Sequence, residues 1–243
     1  MKNLIDLHTH SVLSTHAFSS LTENINCAIE KGLKYYGTSE HQFDDYGVGC
    51  HIFALHNLRI VPRHINETTI LRGCEFNILP DGDIDTKSMK EGQLDYGIAS
   101  MHTYNGKGPY LDAGVNSNTQ AYLNALENEF INILGHIDDG RYPCDFEKVI
   151  IKAKKCHKLI EINNTSLKPT TNRINSYENL KTIIQLCKKY EEPVIINSDA
   201  HICYSVGEYE LAYNLLKECG YPENLILNFN EDLIDEYFKV KNI

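Results

Sequence analysis

Asp6-Leu7-His8-Thr9-His10 sets two imidazoles two residues apart near the start of the chain, and Asp199-Ala200-His201 repeats that spacing late in it. Alternate residues of an extended segment point the same way, so each pair can present two donors to one ion. Between them His41, Glu75, His102 and His136 each stand just past a short apolar run, and His16 lies in the loop that follows His10. Imidazole and carboxylate donors without a thiolate suit Zn²⁺, and equally Mn²⁺ or Fe. A single histidine is more often a hydrogen-bonded core or surface residue than a ligand. Seven of the 11 histidines in one class of position is a different observation, because a metal centre needs convergent donors.

These residues converge only if the runs they follow are parallel strands of one sheet. Strands are predicted over residues 3–7, 35–39, 70–74, 96–101, 131–135, 159–162, 194–197 and 225–229. Helices are predicted over 119–128, 146–156, 177–190, 209–219 and 231–239. An earlier helix starts at Ser20, which forms a capping-box signature with Glu23, places Leu21, Ile25, Ala28 and Ile29 on one face, and stops at Gly32. Alternating strands and helices make an α/β barrel, whose strands all point one way, so residues just beyond their ends meet on one rim. At 243 residues, without a linker or repeat, residues 1–243 are expected to form a single domain. Residues 81–92 read as an exposed loop, and 42–67 carry no clear period.

The motifs Asp6-Leu7-His8-Thr9-His10-Ser11, Ser39-Glu40-His41, Gly73-Cys74-Glu75, Ser100-Met101-His102, Gly135-His136 and Ser198-Asp199-Ala200-His201 resemble, in order, those of the polymerase and histidinol phosphatase (PHP) superfamily. The likeness is nearest to YcdX-type bacterial phosphatases, through Ser14-Thr15-His16-Ala17, Arg59-Ile60-Val61-Pro62-Arg63, Asn118-Thr119-Gln120-Ala121 and Glu161-Ile162-Asn163-Asn164. The resemblance implies a distorted seven-stranded, TIM-like (β/α) barrel that holds three divalent ions, usually zinc, and hydrolyses phosphate esters. Carried over by residue, His8, His10, Glu75 and Asp199 would hold the first ion, Glu75, His102 and His136 the second, and His16, His41 and His201 the third. Nine residues with Glu75 bridging give ten bonds, three to four per ion, which leaves room for water and substrate. Eight apolar runs exceed the family's seven strands, so 225–229 is expected outside the barrel.

A metal-bound hydroxide is the expected nucleophile, since coordination brings the pKa of water towards neutrality, and no side-chain nucleophile or general acid is assigned. Arg59, Arg63 and Arg173 are candidate phosphate clamps, because guanidinium offers paired donors to such oxygens, with a structural role the alternative for each. Asn163 and Asn164 could orient ligands or serve as a turn or cap. His157 reads as structural, while His51, His56 and His64 lie in the segment that could cover the site. Asp44 and Asp45 read as exposed charges, and Tyr35, Tyr36 and Tyr46 mostly as packing.

A net charge of -10 opposes binding to a phosphate backbone, so the expected partner is a small phosphorylated molecule and not nucleic acid. The sequence has no apolar leader and no run of eighteen apolar residues, which predicts a cytoplasmic protein without a membrane partner; it leaves a homo-oligomer open. The eight cysteines contain no Cys-x-x-Cys and read as reduced, mostly buried thiols. Three other functions compete. A phosphodiesterase or nuclease is disfavoured by the acidic charge. An amidohydrolase would place a bridging lysine where His102 stands. A non-catalytic metal-binding module would show a decayed ligand set, and all nine positions are intact.

Overall fold

A computed structural model describes residues 2–42, 49–79, 82–84, 86, 93–103 and 113–243. Its strands are β1 (Ile5–Asp6), β2 (Tyr35–His41), β3 (His64–Ile65), β4 (Thr68–Asn77), β5 (Tyr96–Ser100), β6 (Ile133–Leu134), β7 (Leu159–Asn163) and β8 (Val194–Asn197). Seven of them lie side by side in the order β1-β2-β4-β5-β6-β7-β8, all parallel, while β3 folds back antiparallel on β4. Their residues are buried almost throughout, as expected of a parallel sheet covered on both faces. The helices are α1 (Leu21–Glu30), α2 (Ile52–Asn57), α3 (Gly114–Ala125), α4 (Phe146–Cys156), α5 (Ser176–Tyr190), α6 (Glu210–Glu218) and α7 (Glu231–Phe238).

The capping box forms as the sequence predicts: Ser20 Oγ accepts from Glu23 N–H, and the Glu23 carboxylate accepts from Ser20 N–H at 2.7 Å. Gly32 then turns the chain at φ +68°, which costs glycine least. Between the first and last barrel strands the sheet closes through few backbone bonds, among them His10 N–H to Ala200 O at 2.8 Å. Side chains complete the seam. The Asn228 amide donates to Ile5 O and Ile196 O and accepts from Ile196 N–H, as an inserted peptide would. This role explains the one misread strand. Residues 225–229 form two 3-10 turns with a single bridge, Ile226 to Val194. Leu227 packs at the bottom of the barrel, and the sheet is met by the Asn228 side chain together with isolated backbone contacts, the Ile226 bridge and the Asn228 carbonyl that accepts from Leu4 N–H.

Inside the barrel, Leu7, Tyr96, Ile98, Ile133, Leu159 and Ile195 pack as one cluster, closed at the strands' N-terminal ends by Ile234 and Phe238 of α7. The Tyr96 hydroxyl donates to Leu7 O at 2.6 Å. Gly37 and Gly73 leave the space its ring occupies, since a Cβ at either would collide with the phenol. Two short elements went unread in the sequence, α2 and β3, both too brief to show a period. Among the described residues no helix is long and apolar enough to cross a membrane.

Candidate metal centre

The strand register brings distant residues together. In the β2–β4 pairing His41 stands directly opposite Glu75, so loop residues that follow β1, β5, β6 and β8 gather around one carboxylate. All nine residues singled out in the sequence meet there. Glu75 is 1% exposed, and its two oxygens face different partners. Oε1 lies 3.2 Å from His102 Nε2 and 3.0 Å from His136 Nε2. Oε2 lies 3.2 Å from His8 Nε2, 3.5 Å from His10 Nε2 and 3.0 Å from His41 Nδ1. Asp199 Oδ1 approaches the same pair, at 3.5 Å from His8 and 3.3 Å from His10. His16 Nε2 and His201 Nε2 are 2.9 Å apart.

The donor set fits metal ions. His8 Nε2, His10 Nε2, His41 Nδ1 and Glu75 Oε2 are buried without a hydrogen-bond partner, an arrangement that is costly unless a cation joins them. Donors bound tetrahedrally at ~2.0–2.1 Å stand about 3.3 Å apart, close to the separations above. Four overlapping groups of three can each converge on one ion: His8-His10-Glu75, His8-His136-Asp199, His41-Glu75-His102 and His10-His41-His201. The last places His10 with two residues that the resemblance assigns to the third ion.

Electrostatics keep most of these imidazoles neutral and therefore able to coordinate. Burial, then the neighbouring His41 and His201, holds His10 far below the ordinary histidine range and lowers His16 to about 4. Burial also works against charge on His8, but Glu161, Glu75 and Asp199 outweigh it and raise its pKa well above normal. In Glu75 and Asp199 burial favours the neutral acid, yet the surrounding histidines, and Arg173 beside Asp199, hold both carboxylates well below their usual range. Two ligand-bearing loops carry strained backbone: His136 and Asp199 sit at φ +29° and +52°, which turns their side chains off the ends of β6 and β8.

Of the three candidate clamps, only Arg173 reaches the site. Its guanidinium donates to Asp199 Oδ2 at 2.6 Å, Asn163 Oδ1 at 2.9 Å and Ser166 Oγ at 3.0 Å. Arg63 instead pairs through both nitrogens with Asp95, just before β5 and so at the opposite end of the barrel. Arg59 is exposed on the 3-10 turn after α2, where its carbonyl accepts from Arg72. Neither lines the cavity over the histidines. That cavity, of about 460 Å³, is walled by Arg141, Arg173, Thr103, Thr165, Thr171 and Asn172 as well as by every candidate ligand but His8 and His10. Arg141, which the sequence reading passed over, forks onto Asp139 and donates to Thr103; only its position five residues after His136 could have flagged it.

Asn163 donates to Asp199 and so touches the centre. Asn164 is a cap, its side-chain oxygen accepting from Leu211 and Ala212 N–H at the start of α6. His157 stacks on Tyr237 at 4.1 Å, far from the rim, and His51 caps α2. His64 lies at the exposed start of β3. Asp44, Asp45, Tyr46 and most of residues 81–92 lie outside the described residues. Two supporting residues were missed. Asn77 Oδ1 is 2.7 Å from His102 Nδ1, and Glu161 Oε1 is 2.7 Å from His8 Nδ1. Glu161 stood in the sequence only as part of the Glu161-Ile162-Asn163-Asn164 motif with no role of its own, and Asn77 lies past the predicted strand 70–74; a polar residue in or beside an apolar run was the available signal.

Comparison with known proteins decides the family. The PHP domain profile matches residues 6–172, more than half of the chain. The chain belongs to the PHP domain family. A relative from Clostridium acetobutylicum, named a probable phosphatase, is 44% identical over 99% of this chain and 96% of its own length. One from Clostridium botulinum, with the same name, is 39% identical over the same shares. In structure the chain resembles histidinol phosphate phosphatase from Lactococcus lactis subsp. lactis, solved with zinc, L-histidinol and phosphate. The two superpose with a TM-score of 0.63 over 91% of this chain and 95% of that one, at 18% identity, which speaks for the shared fold.

Proposed function

We propose that this PHP-family chain is a metal-dependent phosphatase that hydrolyses small phosphomonoesters at a centre of three divalent ions. The observation that carries the reading is the division of labour on Glu75: one oxygen addresses His102 and His136, the other His8, His10 and His41. A carboxylate so placed would serve two ions, one through each oxygen. The first would be held by His8, His10, Glu75 and Asp199, the second by Glu75, His102 and His136, and the third by His16, His41 and His201. Zinc is the first choice of metal, with Mn²⁺ or Fe the alternatives for such donors. When bound, divalent ions supply Lewis acidity and acidify water at neutral pH.

The chain's own residues supply the rest. Arg173 is oriented by three hydrogen bonds and lines the cavity, placing a fixed positive charge beside the histidines for an incoming phosphate. Asp199 shares its oxygens between that guanidinium and the imidazoles of His8 and His10, which ties substrate binding to ligand geometry. A cavity of about 460 Å³ accommodates a small ester and not a folded polymer. The names of the Clostridium relatives and the phosphate and zinc in the Lactococcus lactis structure support the same reading. The test is element analysis of the purified protein followed by a phosphate-release screen over small phosphomonoesters. Metal-free protein with full turnover, or metal-loaded protein that releases no phosphate from any ester, would overturn it.

A further inference from the structure

Glu161 lies on β7, is fully buried, and has no place in the ligand set proposed above. Its carboxylate receives four donors, two on each oxygen. Oε1 accepts from His8 Nδ1 at 2.7 Å and from Asn197 Nδ2 at 2.9 Å. Oε2 accepts from the backbone N–H of His136 at 2.8 Å and from Asn163 Nδ2 at 2.9 Å. The Asn197 amide is itself fixed, because its oxygen accepts from Leu7 N–H on β1. The Asn163 oxygen is likewise taken, by Arg173 and by Ser166 N–H. Neither asparagine can therefore turn over to present an acceptor without breaking other bonds.

We infer that Glu161 is a positioning residue that sets two of the ion sites at once, fixing the His8 ring from one oxygen and the His136 main chain from the other. A carboxylate oxygen facing Nδ1 obliges that nitrogen to carry the proton, which leaves the Nε2 lone pair directed at Glu75 and Asp199. The other oxygen holds His136 in its left-handed backbone conformation, the turn that sends its Nε2 to Glu75 Oε1. The residue thus acts on one donor of each ion that Glu75 would bridge. His16, His41 and His201 make no contact with it among the described bonds, so the third ion should not feel its loss.

Glu161→Gln separates this role from simple packing, because the amide has nearly the same shape but only one acceptor oxygen. With that oxygen towards His8, its NH₂ meets the donors of His136 and Asn163. Turned round, the NH₂ forces His8 to accept at Nδ1 and protonates the Nε2 that should coordinate. Either way a ligand is lost.

The inference rests on the metal-centre reading, and its test reads affinity, not hydrolysis. Metal-free full-length wild type, Glu161→Gln and Glu161→Asp are titrated with Zn²⁺ against a chelating indicator, with melting of each metal-free protein recorded alongside. Wild type that takes up no Zn²⁺ defeats the metal-centre reading and this inference with it. Given uptake by wild type, the expected result is two equivalents weakened roughly 10- to 100-fold in Glu161→Gln, the usual cost of losing such a partner. One equivalent should stay unchanged, and Glu161→Asp, which keeps both acceptors, should fall between. Wild-type affinity at every equivalent, or equal weakening of all of them, overturns the assignment. If Glu161→Gln does not fold, the same split decides on Glu161→Asp: two weakened equivalents support the role, and none or all overturn it.

Discussion

A single buried acid at the end of the barrel away from the metal rim should make its own measurable contribution to how stability depends on pH. Glu192, in the turn between α5 and β8, is 1% exposed, and its Oε1 has no hydrogen-bond partner. Burial pushes its pKa from 4.5 up to about 8, with Lys154 offsetting only part of the effect. The folded protein therefore holds this proton where the unfolded chain has released it. Stability from this group is intact below pH 4.5 and is lost progressively as pH rises to about 8, because the folded state must either keep an acid proton or bury an unpaired charge. The full shift corresponds to roughly 3–4 kcal/mol between pH 5 and 8, and residual solvent contact reduces this to about 2–3 kcal/mol. Glu192→Gln keeps the shape of the protonated acid and cannot ionise. The variant should match wild type at pH 5 and exceed it by about 2–3 kcal/mol at pH 8, roughly 5–10 °C in melting temperature for a chain of this size. Thermal melts of both metal-free proteins across that range give the difference directly, since every other titrating group cancels. Melting curves that stay parallel, with a constant gap from pH 5 to 8, would refute the reasoning.

Four other outcomes are expected. Chelation should abolish phosphate release and lower the melting temperature, with Zn²⁺ or Mn²⁺ restoring both, because filled sites favour the folded state; undiminished turnover after verified metal removal contradicts this. Glu75→Ala should lower metal content more than His16→Ala or His41→Ala, since Glu75 serves two ions, and element analysis of the three variants decides it. Arg173→Ala should reduce kcat/KM by roughly 10- to 100-fold, the value of a charge-assisted hydrogen bond of about 1.5–3 kcal/mol, and steady-state kinetics on a responsive ester would expose an unaffected enzyme. With a net charge of -10, small esters should be cleaved far more efficiently than single-stranded DNA at matched metal loading; the opposite ranking moves the nuclease reading to first place.

Much of this protein was legible from periodicity and punctuation. α4 was predicted to the residue, because Asp145 caps it and His157 ends it in the left-handed conformation, and both are local events. The β8 run, 194–197, was equally plain as four apolar-to-polar residues following a proline turn. The candidate ligands were visible because their chemistry is rare and their positions repeat: a histidine or acid just past six of the eight predicted strands needs no contact information to be noticed. The order of the strands around the barrel then followed from their parallel connections. What the sequence could not determine was which polar residues face one another across the seam and beneath the centre. Glu161, Asn77 and Asn228 sit inside or beside apolar runs, and their partners lie 153, 25 and 32 residues away, respectively, in His8, His102 and Ile196. Arg63 and Arg173 looked alike as phosphate clamps, yet one lies before a strand and the other after, so closure of the barrel sent them to opposite ends. Residue type and spacing are set by the chain, whereas the side-chain partners of a buried carboxylate are set by register and closure, which exist only once the strands have paired.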